Sequence, residues 1–172
     1  MTAAAFAYVE RVATGDFSGA VSLIDRRTME FYEQVRRDAV SLTAAELKAR
    51  PLQDQVIIIQ FRQGKGAASL RTRPIATLVA ASIEPLVDPR YLRLKEIRVD
   101  GDLATVHVTL GELGGALPIE LRREPEGWRL SLVSATRLAA DRLIDGDDAE
   151  SVRGFLAKHY GVDEETLCAP PQ

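Results

Sequence analysis

Cysteine and histidine are scarce in this sequence. Its 172 residues include one cysteine, Cys168, and two histidines, His107 and His159. A single cysteine excludes an intrachain disulfide, and so small a set excludes the cysteine and histidine clusters that hold structural zinc. We therefore expect no disulfide and no metal site. The lack of paired cysteines favours a reducing compartment, the cytoplasm.

Long apolar runs and an excess of basic charge are also lacking. No stretch approaches the roughly 20 apolar residues that cross a bilayer. The first residues contain no basic region and reach Glu10 before any long apolar run, so we expect a helix there and not a signal peptide. The formal net charge of -3 gives no general attraction to nucleic acid or to an anionic membrane. We expect a cytoplasmic protein that binds neither.

The motifs of familiar enzyme classes are missing. The sequence contains no nucleophile elbow, no dinucleotide-binding glycine fingerprint and no paired histidines at zinc spacing. Residues 63–69 are rich in glycine but lack the sequence of a phosphate-binding loop. Residues 145–148 are acidic but lack the alternating ligands of a calcium loop. We therefore expect no cofactor.

The first half of the chain has the pattern of helices. Apolar residues recur there at helical spacing, with Gly15 suited to end the first helix and Asp16 to cap the second. Thr43 and Glu46 have the spacing of a capping box. The β-branched stretch at 56–61 fits a buried strand as well as a helix, and Pro51 just before it favours the helix.

The second half has the pattern of an antiparallel sheet. Apolar and polar residues alternate on both sides of a turn at 100–102 and of a second turn at 124–127. Helical spacing returns at about 136–144 and 149–160. Together with a hydrophobic content of 46%, these patterns predict an α+β protein. We expect N-terminal helices packed on a curved antiparallel sheet of about four strands, with a C-terminal helical tail.

Two parts of the sequence resemble the nuclear transport factor 2-like superfamily. They are residues 12–20, which contain a Gly-Asp-Phe joint between helices, and the sheet pattern from Asp100 to Trp128. The resemblance implies one domain over residues 1–168, with an enlarged helical insertion at about 43–89, a helical tail at about 136–167 and a frayed terminus at 169–172. It also implies a cone-shaped sheet around long helices. Members use the resulting pocket for isomerisation, dehydration, cyclisation, ligand binding or dimerisation, so the fold does not select a function.

Four residues are candidates for the pocket. His107 in mid-strand is a candidate general base, or a partly exposed strand histidine, on the face opposite Val106. Tyr8 and Tyr32 are expected on core-facing helices, where a phenol donates to a ligand or anchors packing. Trp128 is expected in the core or the pocket wall.

Charged residues give two further expectations. Asp25 and Glu30 lie near the start of the third helix, where we expect solvated acids. The sequence also has a local excess of basic residues, which are Arg62, Lys65, Arg71 and Arg73. They could bind an acidic partner or form a solvated loop, and both interpretations stay open.

Two functions follow as hypotheses. The first is a non-catalytic domain, a homodimer that binds an apolar small molecule or a protein partner. The second is a cofactor-independent isomerase, dehydratase or cyclase in which His107, with Tyr8 or Tyr32, moves a proton.

Overall fold

The computed structural model describes residues 2–64, 69–72, 74–83, 92–110 and 116–171. Its contacts divide the chain into two compact units. The sheet unit comprises Met1–Phe31 and Pro74–Ala135, and the helical unit comprises Tyr32–Arg73 and Thr136–Gln172.

The elements confirm the α+β class, with N-terminal helices, a four-stranded antiparallel sheet and C-terminal helices. In chain order they are α1 (Thr2–Ala13), α2 (Phe17–Val21), α3 (Arg26–Ser41), α4 (Ala44–Lys48), α5 (Leu52–Gln63), α6 (Ile75–Ile83), β1 (Leu92–Asp100), β2 (Leu103–Leu110), β3 (Ala116–Glu124), β4 (Gly127–Ser131), α7 (Val133–Ile144), α8 (Ala149–Tyr160) and α9 (Glu164–Cys168). None of the helices among the described residues is long and apolar enough to cross a membrane.

The four strands form a meander in the order β1-β2-β3-β4, with every neighbouring pair antiparallel. Both predicted hairpin turns are present. Gly101 has a φ of +58° between β1 and β2, and Gly127 has a φ of +120° where β4 begins. Side chains disfavour this region of backbone space, so glycine at these positions allows the tight connections.

The two faces of the sheet differ in polarity. Ala104 and Val106 on β2 and Leu121 on β3 are buried on one face, where Ala104 pairs with Leu121. Thr105 and His107 point to the opposite face, as strand alternation predicts. That face also carries Glu120 and Arg122 of β3, and it holds the site described below.

The chain just before α3 adds to the edge of β4. Ile24 forms a bridge with Leu130, whose amide donates to the Leu23 carbonyl at 2.8 Å. The Asp25 amide in turn donates to the Leu130 carbonyl at 2.8 Å. These bonds fix Asp25 between the sheet and the first turn of α3.

The joint between the first two helices is as the sequence predicts. Gly15 has a φ of +75°, and the Asp16 side chain accepts from the Gly19 amide at 2.9 Å. α2 packs against α1 and α6, and α1 contacts β4.

In the helical unit, the stretch that fitted either a strand or a helix is helical. Val56, Ile57, Ile58 and Ile59 lie in α5 and are all buried. A helix buried on every side lacks the polar face that periodicity detects, which explains the ambiguity of the pattern. Pro51 is the N-cap, one residue before the first helical position predicted for it.

Side chains cap three other helices of this unit, α4, α8 and α9. Thr43 and Glu46 form the predicted capping box of α4, and Asp148 accepts from two amides at the start of α8. The sequence interpretation missed α9, a single short helix capped by Asp163. Beyond it, residues 169–171 are partly buried, and Arg71 donates to the Pro171 carbonyl at 3.1 Å.

Candidate binding pocket

Asp25 is the one fully buried acid among the described residues of the sheet unit. It has no exposed surface, and its Oδ1 accepts from the Thr28 amide at 2.8 Å in the manner of an N-cap. Thr28 is also fully buried, and its Oγ1 accepts from the Leu132 amide at 2.9 Å. The expectation of a solvated acid is therefore wrong for Asp25, because hydrogen bonds between its segment and the edge of β4 hold it in a buried position.

Asp25 faces Arg122 without closing a hydrogen bond. Its Oδ2 lies 3.8 Å from the Arg122 Nε, and neither atom has a hydrogen-bond partner among the described residues. Both atoms are buried. Unsatisfied buried polar groups are rare in folded proteins, and an ion pair that does not close recovers little of the free energy lost on desolvation.

A pocket of about 460 Å³ opens at this pair. We call it the charged pocket. Its lining residues, all in the sheet unit, are Asp25, Arg26, Arg27, Glu30, Asp102, Leu103, Arg122, Arg123 and Glu124. Among the described residues the lining is charged except for Leu103, so it is unlike a pocket for the apolar small molecule that the sequence analysis expects. The volume is similar to that of small-molecule sites, but the pocket is open to solvent and lacks their mostly apolar lining.

The N-terminus of α3 forms one wall of the charged pocket. Arg26 and Arg27 occupy its first turn, where the helix dipole already places about half a positive charge. Glu124 offsets part of this charge by accepting from the Arg26 amide at 3.1 Å, and Arg26 pairs with Glu30 at 3.4 Å. The two arginines at this end of the helix are thus balanced by the nearby carboxylates of Asp25, Glu30 and Glu124.

His107 lies on the same sheet face but outside this lining. It follows Leu103 by four residues along β2, roughly 13 Å at the rise of a strand. Its side chain is 30% exposed, and its buried Nδ1 has no hydrogen-bond partner among the described residues. Glu96 lies 4.0 Å from that atom, and the neighbouring Arg98 lowers the pKa of Glu96.

The three aromatic candidates lie on three different elements, α1, α3 and β4. Tyr8 is buried on α1, and Trp128 is partly buried and pairs with Arg123. Tyr32 belongs to the helical unit, where its hydroxyl lies 2.7 Å from the Thr136 Oγ1 and its ring packs against Phe61. Neither Tyr8, Tyr32 nor Trp128 lines the charged pocket.

Arg62 does not fit the basic patch expected from the sequence. It is 4% exposed, and its guanidinium donates to the carbonyls of Ala39, Leu42 and Cys168. Burial lowers its pKa. These bonds join the end of α3 to the end of α9, so Arg62 supports the helical unit from within. Arg71 is exposed, whereas Lys65 and Arg73 lie outside the described residues.

Within the described ranges, no group of three or more histidine, cysteine, aspartate or glutamate side chains is placed to hold a metal ion. The chain matches no protein-family model, no curated protein and no solved structure.

Sequence reasoning missed the pairing of Asp25 with Arg122. Asp25 stands three residues before Thr28 at the start of a helix, and this spacing is a recognisable N-cap signal. Arg122 is separated from Asp25 by 97 residues, and nothing in the local pattern connects them. The bridge between Ile24 and β4, with the bond from the Asp25 amide to Leu130, holds Asp25 at the sheet that carries Arg122.

Proposed function

We propose that this chain is a small-molecule-binding domain whose ligand occupies the charged pocket. The observation that carries the proposal is the buried pair of Asp25 and Arg122, which stand 3.8 Å apart with Oδ2 and Nε unsatisfied. Such a pair costs stability, and buried charged groups of this kind concentrate at functional sites.

The free energy of this pair is the physical argument. Replacing a buried ion pair by uncharged groups of similar size is often neutral or stabilising, so folding alone does not require the pair. Functional sites commonly carry such groups at the expense of stability. A polar ligand would add hydrogen bonds at the terminal nitrogens of Arg122, while the buried Nε stays beside Asp25.

Native mass spectrometry of the protein purified from its own host tests this proposal. We expect the wild type to retain a small molecule and the double variant Asp25→Asn/Arg122→Met to lose it. Asparagine keeps the acceptor for the Thr28 amide, so the double variant should still fold. His107→Ala is the matched control and should retain the molecule. Retention by the double variant would exclude the charged pocket as the site.

A second candidate is proton transfer by His107, in a cofactor-independent isomerase, dehydratase or cyclase. The observation in its favour is the buried Nδ1 without a described partner, 4.0 Å from Glu96, a carboxylate that can orient an imidazole. Deuterium uptake from D₂O into the retained molecule would support this candidate if it required His107. Uptake that is absent, or equal in His107→Ala, would exclude it.

The finer fold relationship is also a proposal. The order of helices joined at Gly15 and Asp16, followed by a four-stranded meander, supports a relationship to the nuclear transport factor 2-like superfamily. The binding function does not depend on this relationship, because it is argued from the residues of the charged pocket. A protein partner and a homodimer stay predictions from the sequence.

A further inference from the structure

Arg122 presents the terminal part of its guanidinium to the charged pocket. Its Nε is buried beside Asp25, while its side chain is 34% exposed. The two terminal nitrogens have no hydrogen-bond partner among the described residues, and they are absent from the set of buried unsatisfied atoms. They are therefore open to solvent. A planar guanidinium with two free terminal nitrogens is the fork that binds a carboxylate.

Asp25 is suited to hold that fork in place. Its carboxylate is fully buried, and Oδ1 is fixed by the Thr28 amide at 2.8 Å. A fixed negative charge 3.8 Å behind Nε restricts where the guanidinium can move. Asp25 is thus a positioning residue, and Arg122 is the residue that touches the ligand.

The charged groups of the lining indicate the charge of the ligand. Four arginines and four acids line the charged pocket, but Asp25 has no exposed surface. Asp25 still counts, because a buried charge is screened less than an exposed one, so the described lining carries no net formal charge. The amides at the start of α3 are already bonded by Asp25 and Glu124. The guanidinium of Arg122, with its open terminal nitrogens, matches one carboxylate. A phosphate ester carries about -1.5 to -2 and would be repelled by Glu30, Asp102 and Glu124.

Leu103 indicates what accompanies the charged group. It is the one apolar side chain that the described residues contribute to the lining, and it is 43% exposed. It pairs in register with Arg122 across the strands, so both side chains project from the same face. A short aliphatic group attached to the anion would cover Leu103 and remove apolar surface from water.

We propose that the ligand of the charged pocket is a small aliphatic carboxylate, with its carboxylate on the Arg122 guanidinium and its aliphatic end on Leu103. This inference rests on the proposed binding function and adds the chemical class of the ligand.

Titration of the ¹⁵N-labelled protein with three probes of matching shape tests the inference. The probes are 4-methylpentanoate, the neutral 4-methylpentanamide and 3-methylbutyl phosphate. We expect the carboxylate to move the Arg122 Nε–Hε resonance together with the Asp102 and Leu103 amides. The amide and the phosphate should bind at least tenfold more weakly, which is about 1.4 kcal/mol.

Variants separate the positioning role from the binding role. Arg122→Gln should lower the affinity for the carboxylate at least tenfold. Asp25→Asn should lower that affinity less, because the guanidinium remains. Asp25→Asn should also broaden the Arg122 Nε–Hε resonance, since the guanidinium is no longer held. The control Arg98→Gln alters an arginine of the same face outside the lining and should leave the affinity unchanged. Dispersed spectra of each variant establish that it folds.

The outcomes distinguish this inference from the proposed function. If the amide bound as tightly as the carboxylate and moved the same resonances, the inference of a carboxylate ligand would be overturned. The proposal that the charged pocket binds a small molecule would still stand. If the phosphate bound more tightly than the carboxylate, the inference of a carboxylate would be overturned in favour of a different anion. A carboxylate that moves no resonance of the lining would overturn the inference, while retention of a host molecule by the wild type would still support the binding function.

Discussion

The Asp25 Oδ2 and the Arg122 Nε lie 3.8 Å apart, both are buried, and neither has a hydrogen-bond partner among the described residues. The distance is too long for a hydrogen bond and short enough for strong electrostatic attraction. The contribution of this ion pair to the free energy of unfolding can be measured separately from its contribution to ligand binding.

Removal of Arg122 alone should destabilise the protein more than removal of both charges. Arg122→Met leaves Asp25 buried without its counter-charge, and we expect a loss of about 2 kcal/mol in the free energy of unfolding, since Arg122 is partly exposed. Asp25→Asn/Arg122→Met should lie within about 1 kcal/mol of the wild type. Urea unfolding of the single and double variants measures the difference. A double variant as unstable as Arg122→Met would contradict the account.

Arg62 should contribute far more to stability than Arg71, although the sequence suggested the same role for both. Arg62→Met leaves the buried carbonyls of Ala39, Leu42 and Cys168 without a donor. We expect a loss of about 3 kcal/mol or more, because each hydrogen bond to a charged group contributes about 1.5–3 kcal/mol. Arg71→Met removes one exposed bond to Pro171 and should cost less than about 0.5 kcal/mol. Equal midpoints of urea unfolding would refute this assignment.

Thr28→Val should weaken the connection between α3 and the end of β4. Valine has the shape of threonine but cannot accept from the buried Leu132 amide, which then loses its partner. We expect a loss of about 1–3 kcal/mol and faster hydrogen exchange at Leu132. Thr14→Val is a control on an exposed threonine whose hydroxyl bonds within its own helix end. Unchanged exchange at Leu132 would show that the bond does not form in solution.

Glu164 should make the helical unit sensitive to acid. Lys48 and Arg153 both bond its Oε1, at 2.8 and 2.9 Å, and they lower its pKa. A lowered folded-state pKa contributes stability that is complete above the unfolded value of about 4.3 and is lost as pH falls through the folded value. Glu164→Gln should therefore flatten the fall in stability between about pH 5 and 3.

Urea midpoints across this pH range check the prediction for Glu164. Glu165→Gln, at the exposed neighbouring position, is the control and should keep the steep fall. A slope in Glu164→Gln as steep as that of the wild type would mean that the observed ion pairs do not persist in solution.

His107→Ala should not release the ligand of the charged pocket. His107 lies roughly 13 Å along β2 from Leu103, beyond the reach of a small ligand on Arg122. Isothermal titration with 4-methylpentanoate should give the same affinity for His107→Ala and the wild type. A tenfold loss in His107→Ala would place the ligand farther along the sheet face and favour the enzymatic candidate.

The fold was predictable where it depends on interactions between residues that are close in sequence. Gly101 allows a hairpin turn, Thr43 and Glu46 form a capping box, and Gly15 separates two helices, all within a few residues. The burial of Arg62 was not predictable, because its three carbonyl partners come from two distant segments. A charged side chain in a sequence is read as exposed unless its partners are known.

The candidate site shows the same limit. Asp25, Arg122 and Leu103 are ordinary residues in sequence, and each becomes informative only through its position. A lone bridge at Ile24 and the register of β2 with β3 bring them to one pocket. His107, the most distinctive residue in the sequence, lies outside that pocket.

The Arg122 Nε–Hε resonance gives the most direct test of the account. The small-molecule fraction extracted from the host should be added to the ¹⁵N-labelled wild-type protein. We predict that this resonance moves together with the amides of Asp102 and Leu103, while the His107 ring and the helical unit do not respond. A response confined to His107 or to the helical unit, or no response at all, would contradict a ligand site at Asp25 and Arg122.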